Sequence, residues 1–230
     1  MQLPPLTPGV LLRRYKRFLA DMEVGGKTIT AHCPNTGSML GCSEPGRTVH
    51  LSRHDSPKRK HSYTWELIRM DSSLVGVNTA RTNAIVREAL VGRNIPNLSH
   101  YDKVRSEVKL GRDSRIDLLL QGPGAPDYYL EVKNCTLVRN GAAGFPDAPS
   151  ARGRKHLLEL ARLAQAGRPA GVLFLVQRMD ARSFSPAGDI DPEYARLLRR
   201  GNELGLDVLA FDATVELSGI RIRHELPCLL

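Results

Sequence analysis

Apolar positions follow two different rhythms along the chain. Up to about residue 80 they come in short runs, "GVLLRRYKRFLADMEV", "KTITAHCP", "RTVHLSRH" and "SYTWELIRM", with alternation and many β-branched residues. Alternation places every second side chain on one face of a strand. The intervening "GG", "PNTG", "EPG" and "DSPK" are turn chemistry. Short strands joined by tight turns predict a small, mostly antiparallel barrel. From "NTARTNAIVREALVGRNI" onward the rhythm changes. Ile85, Val86, Ala89 and Leu90 recur at helical spacing and Gly92 provides a stop. Three strand candidates follow, "KVRSEVKLG", "SRIDLLL" and "YYLEVKNCTLV", then a helix "ARGRKHLLELARLAQAG" starting near Ser150 and an apolar strand "AGVLFLVQ". A last helix has Asp191 as N-cap and Pro192 in its first turn, ahead of the strand "DVLAFD". "LSGIRIRHEL" reads as an edge strand kept soluble by its arginines. The order predicts two domains, a barrel over residues 1–80 and an α/β domain over residues 81–230. No low-complexity linker separates them, so they are expected to pack against each other.

Three ionisable groups interrupt apolar strand segments in "DLLLQGPGAPDYYLEVK", residues 117–133. An unpaired charge inside a sheet costs on the order of several kcal/mol, so each needs a partner, a metal or water. Glu131 and Lys133, two apart on one strand, project to the same side. On the preceding strand Ile116, Leu118 and Leu120 are expected to share one face while Asp117 points to the other. With the strands in register, Asp117, Glu131 and Lys133 converge. Such an acid pair would hold a hard divalent cation, Mg²⁺ or Mn²⁺, with the lysine facing a substrate anion or assisting a water. Glu88, on the upstream helix, is a further candidate ligand if that helix lies across the sheet, and Gln177 a candidate for positioning water or phosphate. A purely structural ion pair is the competing reading. A second Glu-x-Lys, Glu107 to Lys109, lies on a more polar strand and reads as a solvated pair worth about a few tenths of a kcal/mol.

Charge adds a partner class. The 230 residues carry a net +9, and residues 1–80 hold 11 Lys and Arg against 6 Asp and Glu. Basic residues stand beside tyrosines in "RRYKR" and "PKRKHSY", a pattern that suits a nucleic-acid strand, cations on phosphates and rings on bases. The candidates are Arg13, Arg14, Lys16, Arg17, Lys58, Arg59 and Lys60, joined by Lys155, and also Arg152 and Arg154, if the second helix borders the site. A solvated surface that keeps the protein soluble is the alternative. His156 reads as an exposed helical residue. "AHCPNTGSML" offers His32, Cys33 and Ser38 but no base at nucleophile spacing, so it reads as a turn capping its own backbone. Cys33, Cys42, Cys135 and Cys228 show no metal or disulfide spacing and predict free thiols in the cytoplasm. Prolines near the N-terminus argue against a signal peptide, and no segment approaches a membrane span.

The acid, thirteen residues, then Glu131-x-Lys133, with a Glu-bearing helix upstream, resembles the PD-(D/E)xK nuclease-like core; Ile116 stands where a proline often precedes the first acid. The whole chain resembles the sugar fermentation stimulation protein (SfsA) family through "LTPGVLLRRYKRFLADMEV", "AHCPNTGSMLGC", "SPKRKHSYTWEL", "YYLEVKNCTLV", "FPDAPSARGRKHLLEL", "LFLVQR" and "IDPEYARLL". That resemblance implies an N-terminal OB-like β-barrel, a C-terminal nuclease-like α/β domain, DNA binding with little sequence preference and a link to sugar metabolism genes. The expected function is a DNA-binding protein with a metal-dependent phosphodiester-hydrolysing site. The alternatives are a non-catalytic, sequence-nonspecific DNA-binding regulator and an enzyme acting on a small phosphorylated metabolite.

Overall fold

A computed structural model of the chain describes residues 1–57, 59–110 and 114–230, Ser114 by its backbone only. Strands β1 (Leu6–Tyr15), β2 (Leu19–Val24), β3 (Lys27–His32), β4 (Thr48–Arg53), β5 (Tyr63–Arg69) and β6 (Leu74–Gly76) form one sheet in the order β3-β2-β1-β4-β5-β6. A bridge between His32 and Thr64 joins β3 to β5 and closes the barrel. Inside it, Leu11, Met22, Leu51, Trp65 and Ile68 are fully buried. Trp65 buries its polar edge without penalty because its indole N–H donates to the Leu67 carbonyl at 3.0 Å.

The remainder is an α/β domain: α1 (Thr82–Val91), β7 (Lys103–Leu110), β8 (Ser114–Gly122), β9 (Ala125–Cys135), β10 (Leu137–Arg139), β11 (Ala142–Phe145), α2 (Ala151–Gln165), β12 (Ala170–Val176), β13 (Ser183–Pro186), α3 (Pro192–Glu203), β14 (Asp207–Glu216) and β15 (Gly219–Glu225). Its main sheet runs β15-β14-β12-β9-β8-β7. The β7-β8-β9 meander is antiparallel, β9, β12 and β14 are parallel, and β15 returns antiparallel as the edge strand. β12 is buried at every position, as a strand covered on both faces must be. One face packs against α1 through Ile85, Val86, Ala89 and Leu90; the other packs against α2 and α3 through Leu157, Leu160, Tyr194 and Leu198. Ser150 caps α2 by accepting the Gly153 N–H, and Asp191 caps α3 by accepting that of Tyr194.

The two parts share a core. Leu67 and Leu74 of the barrel sheet belong to the cluster beneath α1, and Met1, Leu3 and Leu6 pack against the same cluster. Leu3 donates its backbone N–H to Ser218, and Gln2 bridges Gly219, so the first residues add to the β14–β15 turn. Among the described residues no helix is long and apolar enough to cross a membrane.

Candidate active site

The β8–β9 ladder runs from Gly122↔Ala125 to Leu118↔Leu130. One residue further on are Asp117 and Glu131, where the backbone pairing stops and a side chain takes over. The Asp117 carboxylate accepts the Val132 N–H at 2.8 Å on one oxygen and the Asn83 amide at 3.0 Å on the other. Asn83 comes from the first turn of α1, so the helix start is tied to the strand end. The facing pattern also breaks here. Leu118 and Leu120 share a face, as expected, and pack beneath α1, whereas Ile116 packs with Leu119 against α2. The expectation that Ile116 shares the face of Leu118 is therefore corrected: the strand reverses its alternation at Asp117.

Glu131 is only 3% exposed. Its Oε1 lies 2.5 Å from the Lys133 ammonium and is bonded to Nδ1 of His156 on α2. Burial pushes the Glu131 carboxyl up, but His156 and Lys133 outweigh it and hold the group below its ordinary range. Asp117 behaves oppositely. Burial, then the neighbouring Glu131 charge, push its carboxyl above the usual carboxylate range despite the Val132 and Asn83 hydrogen bonds and nearby Lys133. The two neighbouring carboxyls thus sit in environments that shift them in opposite directions, as buried charge pairs do in structural and in functional clusters.

Lys133 opens onto a cleft of about 660 Å³ between the two domains. On the barrel side the cleft is lined by Arg14, Arg17 and the segment from Asn35 to Ser38; on the other by residues 144–150. Arg14 braces that segment, its guanidinium donating to the carbonyls of Asn35, Gly37 and Ser38. Asn35 caps the turn by accepting the Gly37 N–H at 2.9 Å, as the sequence predicted. A clasp holds the walls together: Ser38 donates to the Asp147 carbonyl, and the Asp147 carboxylate accepts the Met39 N–H at 2.8 Å.

Several expectations change. Glu88 does not join the acids. It lies about 140° round the helix from Asn83 and about 7.5 Å further along, and its carboxylate bonds the N-terminal ammonium beside β15. Among the described residues, no group of three or more His, Cys, Asp or Glu could hold a metal ion. His156 is not an exposed helical residue but a direct partner of Glu131. Among the described residues no ion pair joins Glu107 to Lys109, and Glu107 has a left-handed backbone with φ 53°. Gln177 is fully buried; its amide N–H groups reach Asn134 and Thr82, while its Oε1 has no hydrogen-bond partner.

The basic candidates scatter more than the acids. Lys16 and Arg17 occupy the β1–β2 turn with positive φ, and Arg59 lies in the β4–β5 loop beside Thr64, which also pairs with the end of β3. These sit at one end of the barrel, while Arg13 is tied to Asp21 at 2.8 Å. Lys60 is exposed in the same loop, and Lys58 lies outside the described residues. Lys155 is exposed on α2, one residue before His156. Arg154 is committed to Asp191 at 2.9 Å. All four cysteines are free thiols, and burial pushes Cys42 up to about 11 and Cys135 up to about 12, which makes both inert.

Fold and site define a class: a closed β-barrel joined to an α/β domain, with two acids and a lysine where the antiparallel ladder ends. Residues 12–77 match the family model described as the SfsA N-terminal OB domain, and residues 80–219 match the sugar fermentation stimulation protein RE domain. Sugar fermentation stimulation protein homologs from Pelobacter propionicus and Geotalea daltonii are 50% and 48% identical, covering 100% and 99% of both this chain and theirs. The chain belongs to the sugar fermentation stimulation protein family. The structure of Pyrococcus furiosus SfsA in complex with Ca²⁺ superposes with a TM-score of 0.92 at 27% identity, covering 100% of this chain and 98% of that one.

Proposed function

We propose that this chain is a cytoplasmic nucleic-acid-binding protein that hydrolyses phosphodiester bonds with Mg²⁺ or Mn²⁺, at a site formed by Asp117, Glu131 and Lys133. The observation that carries the reading is the meeting of a raised and a lowered carboxyl beside a lysine that opens onto a cleft. The donor set suits a hard divalent ion. Both carboxylates are oxygen donors, and magnesium sites commonly use one or two carboxylates with water completing the shell. Asp117 and Glu131 would hold the ion, which when bound supplies Lewis acidity toward a phosphate oxygen and an acidified water. The Ca²⁺ in the Pyrococcus furiosus relative supports this choice.

The chain's own groups do the positioning. Asn83 and the Val132 N–H orient Asp117, and His156 orients Glu131. Lys133 neutralises the phosphate and holds or moves the proton of the attacking water. Arg17, Arg59, Lys60 and the other exposed barrel cations contact the backbone phosphates; such contacts hold nucleic acid without reading sequence.

A non-catalytic DNA-binding regulator, in keeping with the sugar fermentation name of the relatives, is the second reading. What favours it is that Glu131 Oε1 is already engaged by both Lys133 and His156, so the acid is neutralised within the protein. Supercoiled plasmid incubated with Mg²⁺, Mn²⁺ or chelator separates the two. Metal-dependent nicking that disappears in Asp117→Ala and Lys133→Ala supports hydrolysis; salt-sensitive binding without nicking in any metal rejects it and leaves the regulator.

A further inference from the structure

The rings that the sequence offers for stacking on bases are already engaged. Tyr15 donates its hydroxyl to Asp21 at 3.0 Å and lies under the Arg13 guanidinium, 5.0 Å from the ring centre, while Tyr63 packs against the barrel core. A different aromatic is left open. Phe18, in the turn between β1 and β2, is 48% exposed and follows two residues with left-handed backbone, Lys16 with φ 50° and Arg17 with φ 63°. Few side chains take that conformation, and it persists where the surrounding structure holds it, often at a binding site. Lys16, Arg17 and Arg59 are exposed at the same end of the barrel. Arg59 reaches Thr64, whose partner His32 stands opposite Leu19, the residue after Phe18. Among the described residues none of the three cations has a carboxylate within ion-pair distance, unlike Arg13 on its neighbour Asp21.

This turn borders the cleft onto which Lys133 opens. Arg17 lines the cleft, Arg14 donates to the carbonyls of both Arg17 and Asn35, and the Phe18 carbonyl accepts the Cys33 N–H at 2.8 Å. The segment that follows, residues 34–39, is fixed to the rest of the molecule at both ends. Thr79, just ahead of α1, donates its hydroxyl to the Pro34 carbonyl, and Asp147 receives the Ser38 hydroxyl and the Met39 N–H. Lys133 is recessed, its side chain 16% exposed and that of Glu131 4%. A space of about 660 Å³ is of the size that takes a small molecule or a short piece of one strand. A duplex, whose major groove alone is about 12 Å wide, would have to part these walls to bring a phosphate to Lys133. We infer that the site takes a single-stranded nucleic acid, with Phe18 stacking on a base at the mouth of the cleft while Lys16, Arg17 and Arg59 hold the flanking phosphates. This deepens the proposed function and rests on it. Bases inside a duplex are covered by their neighbours, so only an unpaired strand offers a face to the ring.

The test is fluorescence anisotropy with the full chain and chelator present, so that nothing is cut, on three labelled probes: an oligothymidylate, the matching oligouridylate and a blunt duplex. Phe18→Ala should weaken binding of the tighter single strand, which names the sugar, by about 5- to 150-fold, the range that loss of one stacked base produces. Its duplex affinity should stay at the wild-type value. Phe18→Leu keeps an apolar side chain without a ring and should bind the strand as poorly as Phe18→Ala, whereas Phe18→Trp should restore affinity, with its indole emission quenched by the strand. Trp65, fully buried in the barrel, supplies the unquenched background. Melting curves of all three variants should match wild type, since the ring is half in solvent. Wild-type strand affinity in Phe18→Ala or Phe18→Leu, or an equal loss on strand and duplex, overturns the stacking site while leaving nucleic-acid binding intact. So does a change in oligomeric state in Phe18→Ala with strand affinity unaltered, which assigns the ring to a contact between copies of the chain. A wild-type chain that binds none of the probes at low salt overturns the proposed function and the stacking site with it.

Discussion

Glu66→Gln tests whether the junction between the domains is held by one buried ion cluster. Glu66 lies on β5, its side chain 1% exposed. Its carboxylate accepts from Ser52 Oγ at 2.6 Å, Asn78 Nδ2 at 2.9 Å, and Arg81 Nε and Nη2 at 2.6 and 2.7 Å. Burial alone would raise this carboxyl, but Arg81, Ser52 and Asn78 outweigh it and hold it below the ordinary range. Arg81 immediately precedes α1, so the cluster ties the barrel to the helix whose first turn supplies Asn83 to Asp117. Removing one member of a buried pair costs about 3–5 kcal/mol because the other charge is left behind. Glutamine keeps the shape and one acceptor oxygen, which places the loss near the lower end, about 3 kcal/mol. At about 2–4 °C per kcal/mol for a chain of this size, Tm falls by about 6–12 °C.

The pH dependence gives the sharper result. A depressed carboxyl contributes stability above its unfolded value, about 4.3 for Glu, and loses it as pH falls through the folded value. The Tm deficit of Glu66→Gln should be complete at pH 7 and narrow below about pH 4. Glu66→Gln/Arg81→Met, which strands no charge, should recover part of the deficit. Thermal melts followed by circular dichroism at both pH values decide it. A drop under about 2 °C at pH 7, a deficit as large in acid as at neutrality, or strict additivity in the double variant would refute the reasoning.

Asp117→Asn should raise Tm at pH 7 by a few degrees, since it removes a buried charge that burial and Glu131 both oppose while keeping an acceptor for Val132; a lower Tm would show the ionised acid to be favoured. His156→Ala removes the group that orients Glu131, and should weaken Mn²⁺ binding about 10- to 100-fold in calorimetry, as loss of a supporting hydrogen bond does elsewhere; unchanged affinity would separate His156 from the site. Gly76→Ala would place a methyl 2.3 Å from Gln177 Oε1 and 3.2 Å from its Cβ, beside a side chain with no exposed surface to move into. Urea titration should show a loss of about 1–3 kcal/mol, and a neutral result would mean that Gln177 has another place to go.

How far the sequence could be read depends on whether a feature belongs to one element or to two. Asp191 was legible as a cap, and the start of α2 near Ser150 as a helix boundary, because these signals act within one turn of their own helix. Glu131 and Lys133 were legible as neighbours because a strand repeats every two residues. What failed needed a second element. The period of α1 marked its apolar face, but only the docking of its first turn on β8 and β9 decides that Asn83, not Glu88, meets Asp117. His156 flanks the buried row of Gly153, Leu157 and Leu160, a position that reads as solvent until β9 brings a carboxylate to it. Glu66 stands mid-strand among apolar residues, and its partners lie 12 to 15 positions away. The same limit explains Lys109. Spacing sees Glu107 two residues back and infers a pair, whereas the ladder sets Arg115 directly across and leaves a repulsion. Asp117, His156, Glu66 and Lys109 therefore acquire their neighbours from register and docking rather than from spacing. The residues most worth changing are those whose cross-element neighbour contradicts what their own segment predicts.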